Sequence, residues 1–316
     1  MMVSPIARLM VAVALTGVLA APACSGQTMR DRIKQRMAER RAAAGTEGRL
    51  PRAGRMQPVV LPNGAQLERD VAYGPDPEQR MDVYRPANAR NAPVILMVHG
   101  GGWSRGDKEA ANVVNNKVAH WLPKGYIVVS VGYRMVPRVT PLGEVDDVAR
   151  ALAFAQGNGQ AWGGDPNRIV VMGHSAGAHL VSLMSADPSI ATRAGAGPWL
   201  GTVALDSAAY NVAEIMEQRH YPLYDKAFGS DRQLWRDASP TLRLTRAPLP
   251  MLLVCSSRRD NSCAQASAFA AKATSLGGRV KVVPVDLGHA DINAQVGTPG
   301  SLTTAVDAFL QTLNLP

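Results

Sequence analysis

The 316-residue sequence contains few cysteines and few aromatic residues, and its N-terminal apolar run is short. Three cysteines are too few for a disulfide-rich scaffold, and they lack the clustered spacing of a zinc site. Aromatic residues make up 5% of the chain, which gives no indication of an extended sugar-binding platform. The apolar run at residues 9–21 has 13 residues, fewer than the about 20 that a helix needs to cross a bilayer.

Positive charge is concentrated at one end of the chain. The formal net charge is +9, from 34 Lys and Arg against 25 Asp and Glu. Ten of the basic and three of the acidic residues lie within residues 1–57, which leaves 24 basic and 22 acidic residues for the rest. A nucleic-acid binder would be suggested by the net charge alone. We expect no such partner, because no stacking aromatics interleave the basic run.

Residues 1–23 have the features of a secretory signal peptide. Arg8 supplies a basic flank, residues 9–21 form the apolar region, and Ala21-Pro22-Ala23 places small residues at the cleavage site. The alternative is a buried N-terminal helix, but the run has no polar face. We therefore expect export to the periplasm or the medium, which are oxidising compartments.

The segment that follows begins with a cysteine and is strongly basic. Cys24 at the first mature position leaves open a lipid anchor, which would attach the protein to a membrane. Residues 24–57 contain nine basic and three acidic residues, and Gly45, Gly48, Pro51 and Gly54 interrupt the chain. This composition predicts a basic flexible linker. A basic arm that touches anionic lipid or polymer is the alternative.

From residue 58 onward, short apolar runs alternate with segments of helical periodicity. Continuous apolar runs such as residues 93–98 (PVILMV) are typical of strands buried on both faces. The predicted strands are 66–73, 80–84, 93–98, 127–131, 168–172, 202–205, 250–254 and 280–285, and the predicted helices are 107–122, 141–156, 176–186, 262–276 and 301–313. The pattern indicates an α/β domain over residues 58–316, with a mostly parallel sheet of about eight strands and helices on both faces.

A nucleophile motif lies directly after the strand predicted at 168–172. Gly173-His174-Ser175-Ala176-Gly177 matches the pattern G-x-S-x-G at a strand-to-helix turn, where small flanking residues permit a strained backbone. The helix behind the turn points its N-terminal N–H groups at the site and favours negative charge there. An ordinary turn serine is the alternative. We predict that Ser175 is the catalytic nucleophile.

A glycine run follows the strand predicted at 93–98. His99-Gly100-Gly101-Gly102-Trp103 resembles the HGGG motif that supplies oxyanion donors in lipases and esterases. We predict an oxyanion hole formed by the N–H groups of Gly101, Gly102 and Ala176, with His99 orienting the loop. A phosphate-binding glycine loop is the alternative, but no G-x-G-x-x-G or lysine-bearing loop is present.

Two further site residues follow the last two predicted strands. His289 would take the proton of Ser175, and Asp260 would fix the imidazole's tautomer and stabilise its cation. The chain order Ser175, Asp260, His289 is the order of α/β-hydrolase triads. Three other carboxylates remain open as the acid: Asp206 at the end of the fourth buried strand, Asp286 and Asp291.

Together these motifs resemble the α/β-hydrolase fold over about residues 65–316. The motifs HGGGW and GHSAG, within the run WGGDPNRIVVMGHSAGAHL, are similar to those of hormone-sensitive-lipase-like esterases, in particular the carboxylesterase, feruloyl-esterase-like and kynurenine-formamidase-like branch. The resemblance implies acyl transfer to water through an acyl-enzyme, with neither a metal nor an organic cofactor. It predicts an exported serine hydrolase of small or polymer-linked carboxylic esters. An amidase or formamidase with the same triad, or a non-catalytic binding protein, are the alternatives.

Two features surround the predicted site. Cys255 and Cys263 bracket Asp260, and in an exported protein a disulfide between them would rigidify the acid loop; two buried free thiols are the alternative. Residues 209–246 would form a small lid or an ordinary packed helix pair. This segment contains the aromatic residues Tyr210, Tyr221, Tyr224, Phe228 and Trp235.

Overall fold

A single eight-stranded sheet organises the part of the chain that the computed structural model describes, residues 59–316. Its strands are β1 (Gln66–Ala72), β2 (Arg80–Arg85), β3 (Ala92–Val98), β4 (Ile127–Val131), β5 (Gly164–His174), β6 (Gly201–Leu205), β7 (Met251–Ser256) and β8 (Val280–Val285). They lie in the order β1-β2-β4-β3-β5-β6-β7-β8. The pairs β1–β2 and β2–β4 are antiparallel, and β3 to β8 are parallel to their neighbours. The predicted α/β class and mostly parallel sheet are confirmed.

The helices occupy the connections between the strands. They are α1 (Ala111–Trp121), α2 (Pro141–Asn158), α3 (Ala176–Ala186), α4 (Ser189–Arg193), α5 (Val212–Met216), α6 (Pro222–Phe228), α7 (Arg232–Asp237), α8 (Pro240–Arg243), α9 (Ser262–Ser275), α10 (His289–Gln295) and α11 (Ser301–Thr312), with 3-10 turns at Leu122–Lys124 and Gly159–Trp162. The helix predicted at 107–122 begins later than expected. Asp107 instead accepts a hydrogen bond from the Glu109 backbone N–H at 2.8 Å, which forms a turn before α1.

The sheet is buried on both faces because its central strands are apolar at consecutive positions. All seven residues of β3 are buried. Its even-numbered residues, Val94 to Val98, pack in one core layer with α2 and α3, and its odd-numbered residues pack in the other with α1 and α11. Strand alternation therefore distributes one continuous apolar run between two helix layers.

The parallel strands direct their carboxyl ends toward one edge of the sheet. Chemistry-bearing residues follow five of these ends, after β3, β5, β6, β7 and β8. In open parallel sheets, binding sites form in the crevice outside the carboxyl ends of the strands. The candidate site therefore lies where loops from neighbouring strands meet.

The segment 209–246 joins β6 to β7 and contains α5 to α8. Tyr210, Tyr224 and Phe228 are buried. The ring of Phe228 lies 4.8 Å from that of Trp103, the last residue of the HGGGW motif. Part of the segment thus packs into the domain beside the glycine loop. A lid function for it remains a prediction.

The predicted signal peptide at 1–23 and the whole of the predicted basic linker at 24–57, including Cys24, lie outside the described residues, as does residue 58. Within residues 59–316, none of the helices combines the length and the apolar character required to span a membrane.

Candidate active site

Ser175 lies on a strained turn between β5 and α3. Its backbone has φ 55° and ψ −117°, a left-handed conformation that is costly for a residue with a side chain. The turn is tight because the backbones cross closely. A Cβ on Gly173 would lie 2.4 Å from the Gly177 oxygen, and a Cβ on Gly177 would lie 2.2 Å from the Val98 oxygen. The two flanking glycines are therefore required by space, as the motif predicted.

His289 begins α10, directly after the loop from β8. Its Nε2 lies 2.8 Å from the Ser175 Oγ, within hydrogen-bond distance. The structure therefore brings together two of the three predicted triad residues, which lie 114 positions apart in the sequence.

The third partner of this arrangement is Asp206, at the end of β6. His289 Nδ1 lies 2.6 Å from Asp206 Oδ2. Because an ionised carboxylate only accepts hydrogen bonds, Nδ1 carries the proton. Nε2 is then free to accept the hydrogen of Ser175. Sequence reasoning named Asp206 only as an alternative acid, and the structure places it in contact with the imidazole.

The prediction that Asp260 partners His289 is wrong. Asp260 is exposed and lies four positions beyond the end of β7, whereas Asp206 is buried directly after β6. Strands β6 and β7 are neighbours in the sheet, so either following loop could have supplied the carboxylate. Asp286 is paired with Arg258 at 2.7 Å, and Asp291 is exposed on α10.

Asp206 is fully buried and extensively hydrogen-bonded. Its Oδ1 accepts from the Ser256 backbone N–H at 2.8 Å and from the Ser262 hydroxyl. Its Oδ2 accepts from Arg259 Nη1 at 2.9 Å, beside the His289 contact. Burial alone would raise the pKa of Asp206, but the hydrogen bond from His289 and the charge of Arg259 outweigh it and hold the pKa well below its usual range. The acid is therefore ionised at neutral pH.

The disulfide partners contribute to this arrangement indirectly. Cys255 at the end of β7 and Cys263 at the start of α9 are joined by an S–S bond of 2.08 Å. The bridge closes the segment 256–262, which supplies Ser256, Arg259 and Ser262 to Asp206. The predicted disulfide is present, but the acid that we predicted inside this loop, Asp260, does not contact His289. The structure places there the groups that hold Asp206.

Two side chains, His174 and Lys117, hold the helix that carries His289. The backbone oxygen of His289 lies 2.9 Å from His174 Nε2, and the two rings are 4.6 Å apart. Lys117 Nζ donates to the Asn293 backbone and side-chain oxygens at 2.8 and 3.1 Å. Burial, together with the neighbouring His289, lowers the pKa of His174 well below its usual value. His174 is therefore neutral and fixes the position of α10.

The glycine loop after β3 runs against Ser175. A Cβ on Gly100 would lie 2.8 Å from the Ser175 Cβ. Gly101 and Gly102 have φ of 132° and 59°, conformations that favour glycine. His99 is buried and stacked on Tyr133 at 4.4 Å, and the Tyr133 hydroxyl donates to the His99 oxygen at 2.8 Å. His99 thus orients the loop. The use of Gly101, Gly102 and Ala176 as oxyanion donors remains a prediction.

Among residues 59–316, Asp70, Asp82 and Glu109 have the spacing of metal ligands. Lys108 Nζ lies 2.9, 2.8 and 3.0 Å from their carboxylates. The ammonium group therefore occupies the position that a cation would take. This cluster is a partly buried ion-pair network rather than a candidate metal centre.

Comparisons with known proteins agree with this geometry. The BD-FAE family model matches residues 81–194, which include the glycine loop and the turn at Ser175. A probable isoprenylcysteine alpha-carbonyl methylesterase of Arabidopsis thaliana, ICMEL2, is 32% identical over 190 residues, covering 57% of this chain and 44% of that protein. Esterase LipC of Mycobacterium tuberculosis is 30% identical over 206 residues, covering 60% of this chain and 50% of that protein. The chain thus spans about half the length of these curated relatives.

A solved structure extends the likeness to most of the chain. Esterase B from Lactobacillus rhamnosis superposes with a TM-score of 0.66 and 21% identity. The superposition covers 90% of this chain and 92% of that one. At this identity the likeness concerns the fold.

Proposed function

We propose that this chain, which has the α/β-hydrolase fold and matches the BD-FAE family model over residues 81–194, cleaves carboxylic esters through an acyl-enzyme on Ser175. The observation that carries the proposal is the continuous contact from Ser175 Oγ to His289 Nε2 at 2.8 Å and from His289 Nδ1 to Asp206 at 2.6 Å. The esterase relatives and neighbours support the same reaction class.

The first half of the reaction forms the acyl-enzyme. Ser175 Oγ attacks the ester carbonyl carbon while His289 Nε2 takes the hydroxyl proton. Asp206 accepts a hydrogen bond from Nδ1 and stabilises the imidazolium. The N–H groups of Gly101, Gly102 and Ala176 donate to the developing oxyanion. His289 then returns its proton to the leaving alkoxide, so that the alcohol departs and the Ser175 ester remains.

The second half regenerates the enzyme. Water attacks the acyl carbon and gives one proton to His289 Nε2. The bond to Ser175 Oγ breaks, and the serine oxygen recovers the proton from His289. The products are the carboxylic acid and the original hydroxyl. These steps require the chain's own groups and water.

An ester is favoured over an amide as the substrate because the named relatives include a methylesterase and an esterase. An amidase or formamidase would use the same three residues. Parallel assays on p-nitrophenyl acetate and on an N-formyl aromatic amide separate the two reactions, because a higher kcat/KM on the amide would reject the ester assignment.

The serine variant tests the reaction itself. Ser175→Ala removes the nucleophile, and turnover of p-nitrophenyl acetate should fall about 10⁴-fold or more while the melting temperature is retained. Ser275→Ala is the matched control, since Ser275 is an exposed serine at the end of α9, and it should leave turnover unchanged. Undiminished turnover by Ser175→Ala would reject the proposal.

We also propose that residues 1–23 direct export and are removed. The Cys255–Cys263 disulfide is of the kind that persists in oxidising compartments. Intact mass and N-terminal sequencing of protein recovered from the native host test this. A mature N-terminus at Cys24 is expected. A diacylglycerol mass increment there would identify a lipid anchor, and a retained Met1 would contradict export.

A further inference from the structure

A second cation shares the carboxylate oxygen that faces the candidate histidine. Arg259 lies in the disulfide-closed segment 256–262, and its side chain is 23% exposed. Its Nη1 lies 2.9 Å from Asp206 Oδ2, 3.2 Å from the Asp206 backbone oxygen and 3.0 Å from His289 Nδ1. One carboxylate oxygen therefore accepts from both the guanidinium and the imidazole.

This placement has two opposite effects on the histidine. The hydrogen bonds from Arg259 fix Asp206 Oδ2 in the direction of the imidazole, which favours the tautomer that catalysis needs. The guanidinium keeps its positive charge across the pH range of enzyme assays. A permanent charge 3.0 Å from Nδ1 disfavours a second positive charge on the imidazole.

We propose that Arg259 is a positioning residue of the active site, which holds Asp206 against His289 and extends the neutral, proton-accepting form of His289 to lower pH. The inference rests on the proposed function, since it describes the same proton transfer. It also gives the segment 256–262 a role in the proton transfer, although no residue of this segment takes part in the reaction steps described above.

The other charged and titratable groups around the imidazole come from four elements. They are Asp206 directly after β6, His174 at the end of β5, Lys117 on α1, which contacts α10, and Asp291 on α10 itself. His174 is neutral because burial and the nearby His289 lower its pKa. Burial lowers the pKa of Lys117 to about 7, so its charge changes within the assay range. This change is present in the wild type and in every Arg259 variant, and a comparison between them isolates the arginine.

The test is the pH dependence of kcat/KM on p-nitrophenyl acetate in the wild type and three variants. Arg259→Gln should move the midpoint of the acidic limb about one unit to higher pH, a tenfold change in the proton equilibrium. Arg259→Lys retains the charge, and its midpoint should lie at least halfway from the Arg259→Gln value back to the wild-type value. Arg258→Gln is the matched control, because Arg258 is exposed and pairs with Asp286, and its midpoint should match the wild type.

A purely structural arginine would give another result. Arg259→Gln would then lower kcat/KM by one factor at all pH values and leave the midpoint unmoved, which would overturn the proposal, as would a midpoint shifted to lower pH. Should Arg259→Gln fail to fold, Arg259→Lys carries the test, since a partial shift to higher pH is still expected from its shorter, differently placed charge. Undiminished turnover by Ser175→Ala would instead reject the proposed function, whatever the pH profiles show.

Discussion

Replacing Asp206 with Asn separates the two candidate acids. The change preserves the size of the side chain but replaces one acceptor oxygen with an NH₂ donor. In the wild type, Oδ2 accepts from His289 at 2.6 Å and Oδ1 accepts from the Ser256 N–H at 2.8 Å and from Ser262. An amide in this position must therefore direct its NH₂ group at a hydrogen-bond donor, either on the side of His289 or on the side of Ser256 and Ser262.

Each oxygen also has a partner that can only donate, the Ser256 N–H at Oδ1 and the Arg259 guanidinium at Oδ2. The cheaper arrangement turns the NH₂ group toward the imidazole, because the Ser256 N–H is fixed in the backbone whereas the Arg259 side chain can turn away. His289 Nδ1 then becomes the acceptor, and the proton moves to Nε2, which faces Ser175. An imidazole in that tautomer cannot take the serine proton. Substitution of the triad acid by its amide in a serine protease lowers kcat about 10⁴-fold for this reason, and we expect a loss of that order.

The assay is kcat on p-nitrophenyl acetate at pH 8, with the melting temperature as a check on folding. Asp260→Asn is the matched control, because Asp260 is an exposed aspartate beyond the neighbouring strand, and its kcat should stay within about twofold. A large loss in Asp260→Asn together with an active Asp206→Asn would refute the reasoning.

The same substitution has a pH signature in stability. The pKa of Asp206 is lower in the folded protein than in the unfolded chain, where it lies near 4. The unfolded chain therefore binds the proton first as the pH falls. The stabilisation from ionised Asp206 is complete above about pH 4 and is lost below it. The stability difference between the wild type and Asp206→Asn should shrink as the pH is lowered through that range.

Three further predictions concern the surrounding structure. Gly177→Ala places a Cβ 2.2 Å from a β3 oxygen and should lower the melting temperature, whereas Gly157→Ala, with open space around its Cβ on a helix, should not. Burial lowers the pKa of Lys117 to about 7, so the unfolded chain binds more protons than the folded protein between about pH 7 and 10. As the pH rises through that range, the free energy of unfolding of the wild type, measured in urea, should increase relative to that of Lys117→Met. A difference that stays constant with pH would contradict this. Replacing Cys255 and Cys263 with serine should lower the free energy of unfolding by about 2.5 kcal/mol, from the small loop they close, and unchanged unfolding would exclude the bridge.

Local patterns were sufficient to predict the sheet and two of the site residues. The runs of β3 and β4 predict buried strands because they are five to seven residues long, shorter than typical helices, and are mostly apolar with many β-branched residues. Ser175 and His289 could be identified because each follows a strand, and because the glycines around Ser175 are required by local backbone crossings.

The acid could not be chosen in the same way. Asp206 and Asp260 follow adjacent strands, and only the tertiary arrangement decides which carboxylate meets His289. One signal was present in the sequence: Arg258 and Arg259 directly precede Asp260, which marks that loop as a source of positive charge for a carboxylate elsewhere. The supporting contacts of segment 256–262 with Asp206 depend on loop conformations that no periodic pattern encodes.

Covalent capture of the nucleophile tests the central claim most directly. A fluorophosphonate should react once per chain, abolish turnover in proportion to labelling, and leave its mass increment on the peptide that contains Ser175. Asp206→Asn should react far more slowly, because its histidine is in the wrong tautomer. Full labelling at another residue, or hydrolysis that persists in fully labelled protein, would contradict an acyl-enzyme on Ser175.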